Sequence, residues 1–138
     1  MRAIQNEPID PRALENAVRT DACGGVVTFL GVVRERAHDG RAVSGLEYEA
    51  HESMALAEFE AIEREVTQRL PDVRIGVIHR VGALAVGEIA VAVCAAAPHR
   101  GDAFDACEYA IDQLKARAQI WKKERYADGT GEWVENAC

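Results

Sequence analysis

The stretch Glu88-Ile89-Ala90-Val91-Ala92-Val93-Cys94-Ala95-Ala96-Ala97 is apolar at every position after the first. Such a run is typical of a strand covered on both faces, so we predict a central strand here. The following residues, Pro98-His99-Arg100-Gly101-Asp102, predict the start of a long helix. One apolar stripe runs along that helix and would pack on the sheet; its members are Ala103, Cys107, Ala110, Ile111 and Leu114.

The segments on either side of this unit predict two more helices and several strands. One helix spans residues 10–20 with Asp10 as its N-cap, and a second spans 53–70 with Ser53 as its N-cap. The second helix has an apolar stripe made of Ala55, Phe59, Ile62, Val66 and Leu70. Strands are predicted at 26–33 (buried), 43–51 (with a slip near Gly45), 73–79 and in a hairpin after residue 120 whose turn is 128–131, while 80–86 reads as irregular or a short hairpin.

This α-β-β-α-β-β-α-β-β order predicts an α+β fold, with helices packed on a mainly antiparallel sheet. The 138 residues are enough for one domain, which we expect to span 1–138. A formal charge of −7 argues against nucleic-acid binding. No apolar run approaches the ~20 residues of a membrane span, and no signal peptide is evident, so we predict a cytoplasmic protein.

The four cysteines show neither C-x-x-C pairs nor zinc-ligand spacing, so we predict no metal site. Cys94 and Cys107 lie in apolar settings and should be small buried hydrophobes. Cys138, the last residue, is expected to be an exposed thiol.

The window from Lys115 to Arg125 holds five of the sixteen basic residues and carries +4 on this acidic chain. A local positive cluster of this kind favours a small anionic ligand or an anionic chain end. Alternation along an extended segment would place Lys122 with Glu124 on one face and Lys123 with Trp121 on the other. Such lysines could act as base, nucleophile or carbonyl polariser, or they could simply guard an edge strand against association.

His99 and Arg100 follow the predicted central strand at the N-terminus of a helix, where free N–H groups favour an anion. They could equally be a helix cap and a solvated first-turn residue. A helix rises ~1.5 Å per residue, so Lys115 should lie roughly 22 Å from Arg100 along the axis. Either a loop folds back, or two chains supply the two ends of one site. Arg34, which opens a polar loop after a strand, is a weaker candidate for ligand contact.

Five blocks in order resemble one family, the catalytic (large) subunit of molybdopterin synthase. They are residues 26–34, 46–50, 78–82, 98–100 and 114–124, followed by Glu132-Trp133-Val134-Glu135. The resemblance implies an α/β hammerhead domain with a small antiparallel β subdomain, and a homodimer within a heterotetramer. The partner it implies is a small ubiquitin-like sulfur-carrier subunit, whose C-terminal Gly-Gly tail ends in a thiocarboxylate.

The implied reaction moves two sulfurs in turn to cyclic pyranopterin monophosphate and forms the dithiolene of molybdopterin, with no metal or other cofactor. By motif, Lys115 and Lys122 match the two active-site lysines, with either able to be base or polariser. Substrate-binding positions match at Arg34, His99 and Arg100, and the same site is lined by Val32, Val33, Lys123 and Glu124. A non-catalytic anion-binding domain and a lysine enzyme acting alone remain the alternatives.

Two departures from the family pattern stand out. Gln119 occupies a position that is commonly proline, which should loosen the helix exit that aims Lys122. The sequence also ends soon after Glu135, where some relatives have a longer tail.

Overall fold

The computed structural model describes residues 1–134, so the predictions for Glu135 and Cys138 lie outside the described residues. In chain order its elements are β1 (Arg2–Gln5), α1 (Pro11–Val18), β2 (Gly25–Val32), β3 (Val43–Ala50), α2 (Glu52–Arg69), β4 (Arg74–Arg80), β5 (Gly82–Ala85), β6 (Ile89–Ala97), α3 (Arg100–Arg117), β7 (Ile120–Tyr126) and β8 (Gly131–Val134). The predicted α+β class and its mainly antiparallel pairing are confirmed.

The first sheet has the strand order β1-β4-β6-β2, so the apolar β6 is an interior strand as predicted. It pairs antiparallel with both β4 and β2, and only β1 joins in parallel, on β4. Alternate residues of β6 face opposite sides: Val91 and Val93 pack with α2 and α3, while Ala92 and Cys94 pack with α1. The sheet is therefore covered on both faces, which explains the nearly unbroken apolar sequence.

The second sheet is smaller and fully antiparallel, with the order β5-β3-β7-β8. The predicted slip near Gly45 is a register shift in the β3–β7 pairing. Gly82, with φ of 95°, turns the chain from the end of β4 into β5. A glycine tolerates this left-handed backbone, so consecutive strands can enter different sheets.

Several sequence-based predictions about individual elements were wrong. The segment 80–86 contains a true strand, β5, and β1 was not predicted. The strand at 26–33 is not buried: β2 lies at a sheet edge, and Phe29 and Val32 remain 40% and 48% exposed. The N-cap of α2 is His51 rather than Ser53, because His51 is extended and its Nδ1 accepts the N–H of Met54 at 3.4 Å.

Helix α1 ends at Val18, two residues before the predicted end. Its predicted cap is confirmed, since the Asp10 carboxylate accepts the N–H groups of Arg12 and Ala13. The stripes of α2 and α3 are buried as predicted except for Leu70 and Ile111, which are partly buried.

Candidate active site

All three lysines of the chain lie around the exit of α3. Lys115 is in the last turn of the helix, and Lys122 and Lys123 are on β7. Only two residues connect the elements: Ala118 caps the helix with an extended backbone, and the Gln119 carbonyl accepts the N–H of His51 at 3.0 Å. This short connection folds the chain back, so Lys115 and Lys122 belong to one end of the molecule.

The C-terminal end of α3 is anchored to α2 by Arg117. Its guanidinium donates to both carboxylate oxygens of Glu65 at 2.8 Å and to Glu58 at 3.0 Å. The Arg117 fork and the hydroxyl of Tyr109 lower the pKa of Glu65 to about 2. A bidentate charge-assisted pair fixes geometry well, so the turn that carries Lys115 has a defined place.

The two faces of β7 separate the neighbouring lysines, as the alternation predicted. Lys122 lies opposite Tyr48 of β3 in the register, and Tyr48 is buried, so this is the inner face of the second sheet. Lys123 lies opposite Trp133, and its Nζ is 6.0 Å from the centre of that ring on the outer face. The structure thus does not bring Lys123 to the same face as Lys122 and Glu124.

A cavity of about 300 Å³ opens beside Lys122, between the loop that follows β2 and the β7–β8 hairpin. Its lining is Ala37, His38, Asp39, Arg41, Lys122, Glu124, Glu132 and Val134. Arg41 ties the loop to the hairpin, with Nη2 at 2.7 Å from Asp39 and 2.6 Å from Glu132. Its guanidinium also stacks 3.9 Å from the centre of the Tyr126 ring.

Two residues that sequence reasoning did not select lie in the interior next to the lysines. His79, near the end of β4, is completely buried, and its ring meets the Tyr48 ring edge-on at 5.1 Å. Burial lowers the pKa of His79 to about 4, and the charge of Lys115 adds to that shift. His79 therefore lies within the electrostatic reach of Lys115 and against the residue paired with Lys122. A histidine directly after the apolar residues 75–78 was the available signal.

The end of β2 supplies three further predicted residues. Val33 is buried and exchanges backbone hydrogen bonds with Glu88 and Gly87, while Val32 and Arg34 are exposed. Since α3 returns along β6, its C-terminal turn lies at the same end of the sheet as Val32. Arg34, Lys115 and Lys122 are thus at one end of the chain's fold.

His99 and Arg100 lie at the opposite end. His99 is the N-cap of α3 but makes no side-chain capping bond, and both side chains are exposed. A Cβ placed on Gly25 would lie 3.1 Å from the Cα of Arg100, so these residues adjoin the start of β2. At ~3.3 Å per residue, β2 separates them from Val32 by roughly 23 Å. One chain does not bring His99 and Arg100 to the lysines.

Within residues 1–134, no group of three or more His, Cys, Asp or Glu side chains is arranged to hold a metal ion. None of the helices in this part of the chain is long and apolar enough to cross a membrane.

Comparison with known proteins agrees with the resemblance seen in the sequence. The family model described as MoaE protein matches residues 4–117. The molybdopterin synthase catalytic subunit of Nostoc is 44% identical over 99% of this chain and 83% of its own length. Molybdopterin synthase from Staphylococcus aureus superposes with a TM-score of 0.90 at 37% identity, covering 95% of this chain and 94% of that one.

The same fold, at 21% identity and a TM-score of 0.79, occurs in the complex of subunits 1 and 2 of the molybdopterin-converting factor from Helicobacter pylori. That match covers 97% of this chain and 90% of the other. The family model and the Nostoc relative both extend over most of the chain, and they confirm the predicted family. The chain belongs to the MoaE family of molybdopterin synthase catalytic subunits.

Proposed function

We propose that this chain transfers sulfur from the thiocarboxylate of a small carrier protein to cyclic pyranopterin monophosphate, and that Lys115 and Lys122 carry the reaction. The observation that carries the proposal is the fold-back at residues 118–119, which places both lysines at one end of the molecule. Two ammonium groups there suit a thiocarboxylate, which is an anionic acyl donor. We also propose that residues 1–138 form one domain, a proposal supported by the larger core, which contains residues of both sheets.

In the proposed reaction the carrier's sulfur bonds to a substrate carbon as a carbon–oxygen bond at that carbon breaks. Water then cleaves the acyl–sulfur bond, which leaves the sulfur on the substrate and returns the carrier's tail as a carboxylate. One lysine polarises the thiocarboxylate carbonyl while the other moves the proton that the substrate ring must lose or gain. Glu124 shares the inner face with Lys122 and lines the same cavity. The proposed partner carries its thiocarboxylate on a Gly-Gly tail, which is slender enough to enter that cavity.

A cytoplasmic location is part of the proposal. The described cysteines, Cys23, Cys94 and Cys107, are all free thiols, and free thiols are normal in a reducing compartment.

We further propose that His99 and Arg100 reach the lysines from a second copy of the chain. The β2 edge is open, and Val26, Phe29, Leu30 and Val32 are 37–48% exposed along the strand. Open apolar edges invite another strand. If two β2 strands pair antiparallel about a two-fold axis, the Gly25 end of one copy lies beside the Val32 end of the other. Arg100 of one copy would then face Lys115 of its partner and could bind the cyclic phosphate.

The lysine assignment is tested with Lys115→Ala and Lys122→Ala in a reaction with thiocarboxylated carrier and cyclic pyranopterin monophosphate. Each variant should fold normally and lose molybdopterin formation by about 100-fold or more, as expected for a general acid–base group. Arg12→Ala, an exposed change on α1, is the matched control. Turnover at the wild-type rate in either lysine variant would overturn the assignment.

The shared site is tested by mixing Lys115→Ala chains with Arg100→Ala chains. Each variant alone has a defect in both sites of its dimer, whereas a mixed dimer has one intact site and one with both defects. Random reassortment should therefore restore about a quarter of wild-type activity, since about half the dimers are mixed. No recovery, in a sample shown to contain mixed dimers, would mean that one chain supplies both groups.

A further inference from the structure

His79 is the one polar or charged residue in the described part of the chain that is fully buried. Its Nδ1 lies 2.8 Å from the carbonyl oxygen of Arg80. A carbonyl oxygen can only accept, so Nδ1 must carry the proton. In the neutral ring, Nε2 is then left with a lone pair and acts as an acceptor.

Nε2 of His79 is buried and has no hydrogen-bond partner among the described residues. Leaving a buried acceptor without a hydrogen bond destabilises the fold. A phenylalanine or leucine at this position would avoid that cost, since residues 75–78 before it are apolar and buried. A buried acceptor without a partner therefore indicates that the Nε2 lone pair binds a donor at some stage of the protein's function.

The surroundings of His79 indicate that a lysine is this donor. The ring packs edge-on against Tyr48, which is the register partner of Lys122. On the α3 side, the positive charge of Lys115 is close enough to oppose protonation of the imidazole. His79 thus lies between the elements that carry the two lysines, on the core side of both sheets.

We propose that His79 is a positioning residue for sulfur transfer, and that its Nε2 accepts a hydrogen bond from the Lys115 ammonium. The role in catalysis rests on the function proposed above. Lysine side chains are long and rotate easily, and hydrogen bonds of catalytic groups are often long before substrate binds. The ring is too weakly basic to take the proton itself at neutral pH, because burial holds its pKa at about 4. It therefore holds the amine in place and remains unchanged through the reaction.

Two isosteric variants separate the nitrogens of the ring. His79→Asn keeps a donor near Nδ1 for the Arg80 carbonyl but has nothing at Nε2, whereas His79→Gln keeps an acceptor near Nε2. With thiocarboxylated carrier and cyclic pyranopterin monophosphate, we expect His79→Asn to lower kcat about 10- to 100-fold, with KM for the carrier changed less than about twofold. His79→Gln should recover most of the loss. Equal kcat values in the two variants would overturn the positioning role.

A second measurement needs neither activity nor a variant at His79. In the free protein labelled with ¹⁵N-histidine, Lys115→Met should move the Nε2 resonance of His79 and leave Nδ1 nearly unchanged. An Nε2 resonance that does not respond would overturn the contact. If wild-type protein transfers no sulfur, the proposed function is wrong. The spectra would still show whether Lys115 contacts His79.

Discussion

At the scale of single residues, the buried imidazole of His79 makes the stability of the fold depend on pH. Its pKa is about 4 in the folded chain because burial disfavours the charged ring, against an ordinary value of 6.5. Between these values the unfolded chain binds a proton that the folded chain does not. The stability associated with the neutral ring is therefore complete above pH 6.5 and is lost as the pH falls towards 4.

We predict that the unfolding free energy of wild-type protein falls by roughly 3 kcal/mol over this window, and that His79→Gln lacks this loss. The figure follows from about 1.4 kcal/mol for each unit of pKa shift. Urea denaturation at pH 7, 5.5 and 4.5 measures the difference. Glu65 does not interfere, since its pKa is lowered to about 2 and its contribution is lost only below its ordinary 4.5. His38→Gln, at an exposed histidine, is the control, and parallel curves for wild type and His79→Gln would contradict the prediction.

The residues of the site differ in how far the sequence revealed them. Charge alone drew attention to the basic window and to Arg100 at a helix N-terminus, and the family resemblance then assigned Lys115 and Lys122 as the predicted active-site lysines. His79 and Tyr48 were not predictable, because their relation to the lysines exists only once β4, β3 and α3 are packed together. A buried acceptor without a partner is a property of tertiary structure.

At the scale of elements, the loop between β2 and β3 depends on one side chain for its contact with the final hairpin. Arg41 meets Asp39, Glu132 and the face of Tyr126. Its side chain is 44% exposed, and exposed ion pairs contribute only about 0–1 kcal/mol to stability. The contact should therefore matter more for the shape of the cavity than for the fold.

We predict that Arg41→Ala raises KM for the carrier about fivefold or more, with kcat within about twofold and unfolding free energy lowered by less than about 1 kcal/mol. Loosening the loop widens the cavity that the carrier tail is proposed to enter, while both lysines stay in place. Arg36→Ala is the matched control, since Arg36 donates within the loop to the Gly40 carbonyl. A drop in kcat with unchanged KM would show that Arg41 serves the chemical step instead.

Elements with a long and regular pattern were predicted well, and short or unpartnered ones were not. β6 and α3 follow from their apolar run and stripe. β1 and β5 have four residues each, which is too few for an alternating pattern to be recognised. They form because each can pair with the edge of a neighbouring strand. β2 looked buried because its apolar composition matches an interior strand, while the single chain leaves it at an edge.

At the scale of the whole molecule, the proposed dimer would explain both the exposed β2 edge and the separation of Arg100 from the lysines. Phe29 on β2 and Phe104 on α3 line one surface depression, and Phe104 is 60% exposed. Apolar surface of this kind marks association sites on soluble proteins. A second chain docked there would cover the apolar residues and complete the site in the same step.

We predict that Phe29→Glu yields a monomer and loses sulfur transfer by about tenfold or more, although it leaves every lysine and arginine unchanged. Light scattering coupled to gel filtration, with activity measured on the same fractions, tests this. Met54→Glu on α2, at a residue 48% exposed, should remain dimeric and active. A fully active monomer would show that catalysis does not need the dimer.

The distance between the two groups of site residues could be estimated from sequence, and the estimate agrees with the fold. The helix rise gave roughly 22 Å between Arg100 and Lys115, and the length of β2 gives roughly 23 Å on the neighbouring strand. The sequence left open whether a loop or a second chain closes that gap. After α3 the chain folds back through residues 118–119, which keeps Lys122 at the Lys115 end of the helix and away from Arg100.

The placement of the lysines has a chemical consequence for the protein as a reagent and as a cellular target. Residues 115, 122 and 123 are its whole lysine complement. Apart from the N-terminal amine, which lies near Glu63 and the Ile75 carbonyl, every primary amine of the chain is therefore at or behind the proposed reaction site. Any acylation of a lysine therefore falls near the proposed site. This holds for acetylation in the cell and, in the laboratory, for acylating dyes and for amine coupling to a surface.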